Sequence, residues 1–282
     1  MKTVTSSDGT AIAYDQTGNG PPIVLVDGAL NTRAFGLNGP LVPILADRFT
    51  VVTYDRRGRG DSGDTQPYAV QREIEDLAAV IDAVGGSAYV YGISSGAALA
   101  LEAACAAPAK VAMLALYEPV FVVDNTRPPV PADAVGQVTD LLAHDRRGAA
   151  VKLFLRVDAQ VPAMVVAVMP LMPAWAKLKA VAHTLPYDLT IMDGGQQGRP
   201  LPPGRWASLT APALVMAGGK SPAWLQNTAR ALVRVLPGAS HRTLPGQTHI
   251  VKAKALAPVL ADFFTHAPGS RPASTSEMRN DG

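Results

Sequence analysis

The pentapeptide Gly92-Ile93-Ser94-Ser95-Gly96 constrains the fold most, because it joins two elements of different type through a tight turn. Tyr89-Val90-Tyr91 before it is typical of a buried strand, and the alanine- and leucine-rich residues 97–104 after it are typical of a helix. Glycines two residues before and after Ser94 suit a turn in which larger side chains would collide with neighbouring backbone. Ser95 lacks glycines at both offsets. We therefore predict that Ser94 projects above a sheet, beside a helix N-terminus that favours negative charge.

The pentapeptide alone is also compatible with an ordinary glycine–serine loop between a strand and a helix. The composition and the order of elements along the chain distinguish these two interpretations. The chain has 282 residues, of which 48% are hydrophobic, enough for a sizeable core. Its net charge is +2 without a long basic block, which argues against nucleic-acid and anionic-membrane partners. The single Cys105 excludes an internal disulfide framework and a cysteine zinc cluster. Residues 1–8 lack the apolar core of a signal peptide, so we expect a cytoplasmic protein with no membrane partner.

Strand and helix patterns alternate through the first part of the chain. Short runs rich in β-branched residues at 23–26, 50–54, 88–91 and 111–117 are typical of strands in a parallel sheet. Ala34–Asp47, with an interruption near Gly39-Pro40, Arg72–Val84 and the residues after Gly96 are predicted helices. Segments 3–6 and 11–16 form a predicted antiparallel pair. This order predicts an α/β fold with a doubly wound, mostly parallel sheet covered on both faces.

The alternation stops after Glu118 and resumes near Ala213. Residues from about 124 to 206 are helical in pattern and rich in proline, with predicted helices at 132–144, 147–157, 163–169 and 174–184. A strand at 213–217, a helix at 222–236, a strand at 241–244 and a helix at 251–264 then follow. We therefore expect a core made of residues 1–123 and 207–266, an inserted helical cap at 124–206, and a disordered tail at 267–282.

Four segments together resemble the α/β-hydrolase superfamily, over the chain up to about His266. They are the Gly92–Gly96 turn, which is similar to the family's nucleophile elbow, the strand and loop Pro22–Gly28, the segment Tyr54–Ser62, and the loop Pro245–His249. Their order and spacing agree with that family. The resemblance implies an α/β-hydrolase fold with an inserted helical cap.

The reaction expected of Ser94 needs a base, because a serine hydroxyl is a weak nucleophile at neutral pH. His249 is the predicted base, since imidazole combines a near-neutral pKa with hydrogen bonding on two sides. The other histidines lie in less suitable places, in the predicted cap, at a strand start and beside the tail: His144, His183, His241 and His266.

The acid that orients the histidine is where this sequence departs from the commonest family pattern. The family usually places an aspartate after the strand predicted at 213–217, and Ser221 stands there in this chain. A serine cannot compensate an imidazolium charge. Glu118 is the predicted substitute, because it follows a neighbouring strand. Haloalkane dehalogenases are similar in this respect, since they carry their acid after the same strand. The alternatives are that Glu118 only stabilises the hinge of the cap, and that Asp124 is the acid.

The resemblance also implies an oxyanion hole made by the backbone N–H groups of Ala29 and Ser95. Asp27 stands where the family often has histidine. One interpretation is that Asp27 anchors its loop by side-chain hydrogen bonds. The other is that it lies near the substrate with a raised pKa and acts as a second acid or base. The segment Asp55–Ser62 lacks the Gly-Lys-Ser/Thr pattern of a phosphate loop, so we predict a structural turn packed under the site.

The predicted cap supplies candidate pocket residues, namely Met164, Met169, Met172 and Trp175, with Asp27 as a further candidate from the core. Methionine-rich apolar surfaces adapt to varied shapes, although ordinary packing of cap on core would use the same residues. Few charges lie nearby, which favours a neutral, moderately apolar acyl substrate such as an ester, lactone or thioester.

These residues predict a serine hydrolase that works through an acyl-enzyme, without a cofactor or metal, on a small-molecule acyl substrate. A second hypothesis keeps the site and changes the reaction to C–C cleavage, cyclisation or acyl transfer. A third is a ligand-binding receptor, which the missing aspartate leaves open. A haloalkane dehalogenase is disfavoured because those enzymes use an aspartate where Ser94 stands.

Overall fold

One mixed sheet organises the molecule. The computed structural model describes residues 1–266, and the predicted tail at 267–282 lies outside the described residues. The strands are β1 (Lys2–Thr5), β2 (Ala11–Thr17), β3 (Pro22–Val26), β4 (Thr50–Tyr54), β5 (Ala88–Ile93), β6 (Val111–Tyr117), β7 (Ala213–Gly218) and β8 (Ser240–Leu244). They form an eight-stranded sheet in the order β1-β2-β4-β3-β5-β6-β7-β8. The β1–β2 and β2–β4 pairs are antiparallel, and all the others are parallel.

Helices connect the parallel strands, as their geometry requires. The α-helices are α1 (Val42–Leu45), α2 (Val70–Asp82), α3 (Ser95–Ala106), α4 (Ala134–Ala143), α5 (Arg147–Val157), α6 (Ala163–Val168), α7 (Trp175–Ala180), α8 (Leu185–Ile191), α9 (Ala223–Val235) and α10 (Ala253–Thr265). Short 3₁₀ helices lie at Gly39–Leu41, Met169–Leu171 and Ala182–Thr184. The predicted α/β class with a mostly parallel sheet is confirmed.

The sheet is buried on both faces, which explains why its central strands are apolar without interruption. Successive side chains of a strand point to opposite faces. Val24 and Val26 of β3 accordingly join the core under α2, α3 and α9, whereas Ile23 and Leu25 join the core under α1 and α10. The carboxyl ends of the parallel strands therefore meet at one edge, where loops can bring distant residues together.

Residues 124–206, which we call the helical insertion, separate β6 from β7 and contain α4 to α8. Val138, Val151, Phe154 and Leu185 give the insertion a small apolar core of its own. Leu30, from the loop after β3, packs in the same cluster. The insertion is thus seated on the loop that follows β3.

Two predicted helices differ from the structure. The helix expected at Ala34–Asp47, with its interruption near Gly39-Pro40, is reduced further than predicted, to the 3₁₀ turn at 39–41 and the single turn of α1, because Pro40 and Pro43 each remove a backbone donor. The helix expected at Ala174–Thr184 is divided into α7 and a 3₁₀ turn, and α8 follows it at once. Pro186 is tolerated in α8 because it lies in the first turn, where N–H groups lack helical acceptors.

Candidate active site

Ser94 lies at the junction of β5 and α3 in a strained backbone conformation. Its φ of 59° and ψ of −130° fall in a region that non-glycine residues rarely adopt. A Cβ atom on Gly92 would lie 2.5 Å from the Gly96 carbonyl oxygen, and one on Gly96 would overlap the Asp27 carbonyl oxygen. The two glycines are therefore required by space at this turn. The Ser94 N–H donates to the Tyr117 carbonyl at 3.0 Å, which ties the turn to β6.

His249 lies on the loop after β8 and contacts Glu118. Its Nδ1 is 2.8 Å from Glu118 Oε2. The loop is held in place because the Tyr117 hydroxyl donates to the Thr248 carbonyl at 2.7 Å and the Lys220 N–H donates to the Gln247 carbonyl at 2.8 Å. With Nδ1 on the carboxylate, Nε2 is the ring nitrogen left for a reacting group.

Glu118 is fully buried at the carboxyl end of β6. Its N–H donates to the Met216 carbonyl of β7 at 2.9 Å, and its Oε1 accepts the Gly218 N–H at 2.7 Å. The carboxylate therefore spans the end of β7 and meets His249 from the neighbouring strand. Its φ of 45° is strained for a residue with a side chain. Such strain is found where surrounding structure fixes a side chain for a function.

Asp124, the alternative acid, is placed elsewhere. Its carboxylate accepts hydrogen bonds from Thr126 and from Asn227 Nδ2, the latter at 2.7 Å. Asp124 also lines a separate surface groove beside α9. Ser221, at the position where the family usually has its aspartate, has a buried hydroxyl without a hydrogen-bond partner among the described residues.

The backbone N–H groups of Ala29 and Ser95 are available to a ligand. Among residues 1–266 no oxygen accepts a hydrogen bond from either group. The two segments that carry them meet at the nucleophile, since a Cβ atom on Gly28 would lie 2.9 Å from Ser94 Cβ. Two free donors beside a serine can stabilise an oxyanion.

Arg59 orients one of these donors. Its Nη1 donates to the Gly28 carbonyl at 2.8 Å. Because the peptide bond is planar and trans, fixing the Gly28 carbonyl also fixes the direction of the Ala29 N–H on its other side. Arg59 is fully buried, so this hydrogen bond is not exchanged for water.

Asp188 of α8 connects both donor segments. Its Oδ1 accepts from the Ser95 hydroxyl at 2.7 Å and from Arg56 at 2.8 Å, and its Oδ2 accepts from Arg59 at 2.7 Å. Burial alone would raise the pKa of Asp188, but the charges of Arg59 and Arg56 outweigh burial and lower that pKa. The insertion therefore contributes a carboxylate that holds the segments of Ser95 and of Ala29, the candidate oxyanion donors. Asp188 was not among the predicted site residues, because no separate helix was predicted at 185–191.

The arginines of the Asp55–Ser62 segment are all used inside the protein. Arg56 pairs with Glu73 at 2.6 Å, and Arg57 pairs with Asp76 at 2.7 Å. Each of the two guanidinium groups is at most 1% exposed. The segment is a buried turn under the site, as predicted, and its basic residues face no external phosphate.

A cavity of about 420 Å³ is bordered by both Ser94 and His249. Ser94 and His249 line it together with apolar residues of the core and of the insertion, including Trp224, Leu225, Phe154, Leu178 and Met169. No lysine or arginine of the described chain lines it. The charged or titratable residues at its wall are His249 and Asp158.

Several predicted pocket residues do not line this cavity. Met169 does, but Met164 and Met172 are 82% and 50% exposed and point away from it. The α6 helix and the turn after it thus direct these methionines to the surface. Trp175 lies outside the cavity wall, packs on Gly148 of α5 and has Lys152 above its ring.

Asp27 is also outside the cavity wall, behind the loop that carries Gly28 and Ala29. Burial raises the pKa of its carboxyl to about 7, an effect that the backbone N–H groups of Asn38 and Leu37 reduce. Oδ2 lies close to Gly36, where a Cβ atom would be 2.7 Å away. The Oδ1 atom of Asp27 is buried and has no hydrogen-bond partner among the described residues, so both interpretations of Asp27 stay predictions.

Comparison with known proteins identifies the family. A model of the alpha/beta hydrolase family matches residues 23–252. The chain belongs to the alpha/beta hydrolase family. Two solved structures resemble it over most of the chain. An alpha/beta hydrolase from Sphaerobacter thermophilus is 53% identical with a TM-score of 0.86, covering 93% of this chain and all of that one. The enol-lactonase from Burkholderia xenovorans is 20% identical with a TM-score of 0.67, covering 94% and 100%, a likeness of fold alone.

Among curated proteins, the pimeloyl-[acyl-carrier protein] methyl ester esterase of Methylococcus capsulatus is 35% identical over 152 residues. That match covers 51% of this alpha/beta hydrolase and 56% of the esterase, so the chain spans about half the length of this relative. Within residues 1–266 of this hydrolase, no three His, Cys, Asp or Glu residues are grouped to hold a metal ion. No helix in that range has the length and apolar character to cross a bilayer.

Proposed function

We propose that this alpha/beta hydrolase is a serine hydrolase that cleaves a moderately apolar ester, lactone or thioester through an acyl-enzyme. The observation that carries the proposal is the 2.8 Å contact between His249 Nδ1 and the buried carboxylate of Glu118, in a cavity that Ser94 also lines. This arrangement supports the roles of nucleophile for Ser94, base for His249 and orienting acid for Glu118.

In the acylation step, Ser94 Oγ attacks the substrate carbonyl carbon while its proton passes to His249 Nε2. The carbonyl π electrons move to oxygen, and the Ala29 and Ser95 N–H groups receive the resulting oxyanion. The buried carboxylate of Glu118 stabilises the imidazolium that forms. When the intermediate collapses, the bond to the leaving oxygen or sulfur breaks, and His249 returns the proton to that atom.

In the deacylation step, water replaces the leaving group. His249 removes a proton from the water as its oxygen attacks the acyl carbon. The same oxyanion site receives the charge, the bond to Ser94 Oγ breaks, and His249 returns the proton to the serine. The products are a carboxylic acid and free enzyme, so no cofactor enters the balance.

The residues of the cavity wall favour a substrate without negative charge. Its volume of about 420 Å³ is in the lower part of the range of small-molecule sites. The absence of lysine and arginine from the described wall leaves an anionic acyl chain without a counter-charge, and Asp158 would repel it. We therefore propose uncharged or cationic acyl substrates of medium chain length.

The test is labelling with a fluorophosphonate, followed by intact mass and peptide mapping. We expect stoichiometric labelling of the parent protein on Ser94 and none of Ser94→Ala. Ser208→Ala is the matched control, since it removes a serine hydroxyl far from the cavity on an exposed residue. Labelling at another serine, or a folded parent that does not react, would contradict the proposal.

Turnover is tested separately with p-nitrophenyl esters, a lactone and a thioester in ¹⁸O-labelled water. A hydrolase releases acid that carries one ¹⁸O atom, whereas acyl transfer to an added alcohol leaves the product unlabelled. If the fluorophosphonate modifies Ser94 but the protein hydrolyses none of these compounds, a non-hydrolytic reaction at the same site would be favoured. Tight ligand binding with neither labelling nor turnover would favour a receptor.

A further inference from the structure

Asp158 is a carboxylate in the cavity that the proposed hydrolysis does not use. It follows the last residue of α5 in the insertion and lies on the wall of the cavity that contains Ser94 and His249. The residue is 3% exposed. A buried carboxylate at such a place needs partners for its charge.

The partners of Asp158 within the protein satisfy it only in part. Its Oδ1 accepts a hydrogen bond from Gln196 Nε2 at 2.6 Å, and the same amide donates to the Val120 carbonyl at 3.0 Å. Gln196 is itself buried at 3% exposure, so the amide is a fixed neutral donor. It supplies a hydrogen bond but no positive charge.

Arg127 is the nearby cation, and its guanidinium is committed elsewhere. Nη1 and Nη2 donate to the main-chain carbonyls of Asp158 and Val157 at 2.7 and 2.6 Å, and Nε donates to the Pro128 carbonyl at 3.0 Å. The guanidinium also lies over the Trp224 ring at 4.7 Å. It therefore caps the end of α5, and no described residue forms an ion pair with the Asp158 carboxylate.

The charge of Asp158 is consequently under-compensated inside an apolar cavity. Burial raises the pKa of Asp158 to about 6. The hydrogen bond from Gln196 and the charges of Arg127 and His249 act to lower this pKa, whereas the charge of Asp188 acts to raise it. A cation that entered the cavity would stabilise the carboxylate, whereas an anion would be repelled. A neutral donor could add a hydrogen bond to the carboxylate but, like Gln196, would bring no positive charge.

We propose that Asp158 is a binding residue for an alkylammonium group, which makes the preferred substrate a cationic ester of otherwise apolar character. The inference rests on the proposed function, whose cavity and nucleophile it uses. A charge-assisted hydrogen bond from the ammonium to Asp158 would complete the pairing that the protein leaves open. The apolar wall formed by residues such as Phe154 and Leu178 would contact the alkyl chain.

The test compares three esters of nearly equal size, p-nitrophenyl 6-aminohexanoate, 6-hydroxyhexanoate and heptanoate, each corrected for spontaneous loss of nitrophenol. Parent protein, Asp158→Asn and Asp140→Asn are assayed at pH 7.5. The amide introduced by Asp158→Asn is nearly isosteric with the carboxylate and keeps an oxygen for Gln196, so the cavity should retain its shape. The control variant removes the same charge from α4, where the Asp140 side chain is 73% exposed and lies outside the cavity wall.

We expect the parent and Asp140→Asn to prefer the amino ester by about tenfold to a hundredfold in kcat/KM, as a hydrogen bond to a charged group implies. Asp158→Asn should lose this preference, which is measured within each protein as the ratio of kcat/KM for the amino ester to kcat/KM for heptanoate, so that a general loss of rate does not affect the comparison. Equal preference in parent and Asp158→Asn, or a parental preference for the hydroxy or heptanoyl ester, would overturn the proposal.

A binding measurement separates this inference from the proposed function. Calorimetry of hexylammonium against hexanol on Ser94→Ala needs no turnover. Binding of hexylammonium that Asp158→Asn abolishes in the Ser94→Ala background supports the ammonium site even if no ester is hydrolysed. Absence of such binding, in a protein that does hydrolyse neutral esters through Ser94, overturns the ammonium site and leaves the hydrolase.

Discussion

The Ser95 hydroxyl, one residue after the candidate nucleophile, donates a 2.7 Å hydrogen bond to the Asp188 carboxylate of the helical insertion. Asp188 also pairs with Arg59, which holds the carbonyl of the Gly28–Ala29 peptide. Both N–H groups of the candidate oxyanion hole are thus supported by one buried carboxylate from another part of the chain. A shift of the insertion that moved Asp188 would therefore also disturb the contacts that hold both N–H groups in place.

Removing the Ser95 hydroxyl should lower the rate more than the affinity. In Ser95→Ala the backbone N–H remains, but its tie to Asp188 is lost, so we expect kcat to fall about tenfold with KM little changed. Asp188 keeps both arginines, so folding stability should fall by only about 1 kcal/mol. Steady-state kinetics and urea unfolding measure the two effects. An unchanged kcat would show that the oxyanion donors do not depend on Asp188.

Replacing the acid should be far more damaging. Glu118→Gln keeps an oxygen for the Gly218 N–H but presents an amide to His249, which stabilises the wrong tautomer for proton transfer from Ser94. We expect kcat to fall about 10³- to 10⁴-fold. Asp124→Asn is the matched control and should remain near the parental rate. If Asp124→Asn were the inactive variant, Asp124 would be the acid.

Asp27 should make stability depend on pH. Its folded pKa, about 7, lies above the ordinary value of 3.8, so the folded chain holds this proton more tightly than the unfolded chain does. That contribution to stability is present below about pH 4 and is lost as pH rises to about 7. Between pH 5 and pH 8 the parent should lose about 2 to 3 kcal/mol more than Asp27→Asn.

Urea unfolding of both proteins at the two pH values measures this difference. Comparing the variant with the parent cancels the contributions of other groups, such as Asp158. A parallel pH dependence of the two proteins would show that Asp27 does not carry the raised pKa. A pH–rate profile with unchanged limbs in Asp27→Asn would further exclude a titrating role in the reaction.

Space at the turn around Ser94 predicts a contrast between two glycines. A Cβ atom on Gly96 would overlap the main-chain carbonyls of Val26 and Asp27, whereas one on Gly136 in α4 would meet nothing within 4 Å. Gly96→Ala should therefore lower the free energy of unfolding by about 3 kcal/mol. Gly136→Ala should raise it by up to about 1 kcal/mol, because alanine is the better helix former. Equal effects in urea unfolding would contradict the steric requirement at Gly96.

Local patterns were sufficient for the sheet and for the residues at the ends of its strands. The glycine spacing of the Gly92–Gly96 turn, read with the strand before it and the helix after it, indicates a tight strand-to-helix turn, and Glu118 and His249 follow strands whose carboxyl ends must meet at one edge. The Glu118–His249 contact could therefore be anticipated once Ser221 was seen in place of an acid. The roles of these residues in a reaction remain predictions.

The insertion was less predictable because its placement depends on long-range pairing. Asp188 lies in α8, whose seven residues begin beside a proline, and its three partners come from distant segments. The sequence around Asp158 gives no indication of a binding residue. Its proposed role depends on the neutral partner Gln196 and on Arg127, whose guanidinium bonds main-chain carbonyls instead of the Asp158 carboxylate. A methionine pattern could not distinguish the wall of a cavity, where Met169 lies, from the surface, where Met164 lies.

With the candidate acid Glu118 at the end of β6, the segment after β7 lacks the carboxylate that the family usually carries there. The connection after Gly218 and the first turn of α9 contribute Pro222, Trp224 and Leu225 to the cavity wall, and neither Glu118 nor His249 lies there. Mutations there can change which compounds fit the cavity without altering the pair formed by Glu118 and His249. Directed evolution of substrate preference can therefore begin at this connection and the first turn of α9, where the cavity wall changes while Glu118 and His249 stay as they are.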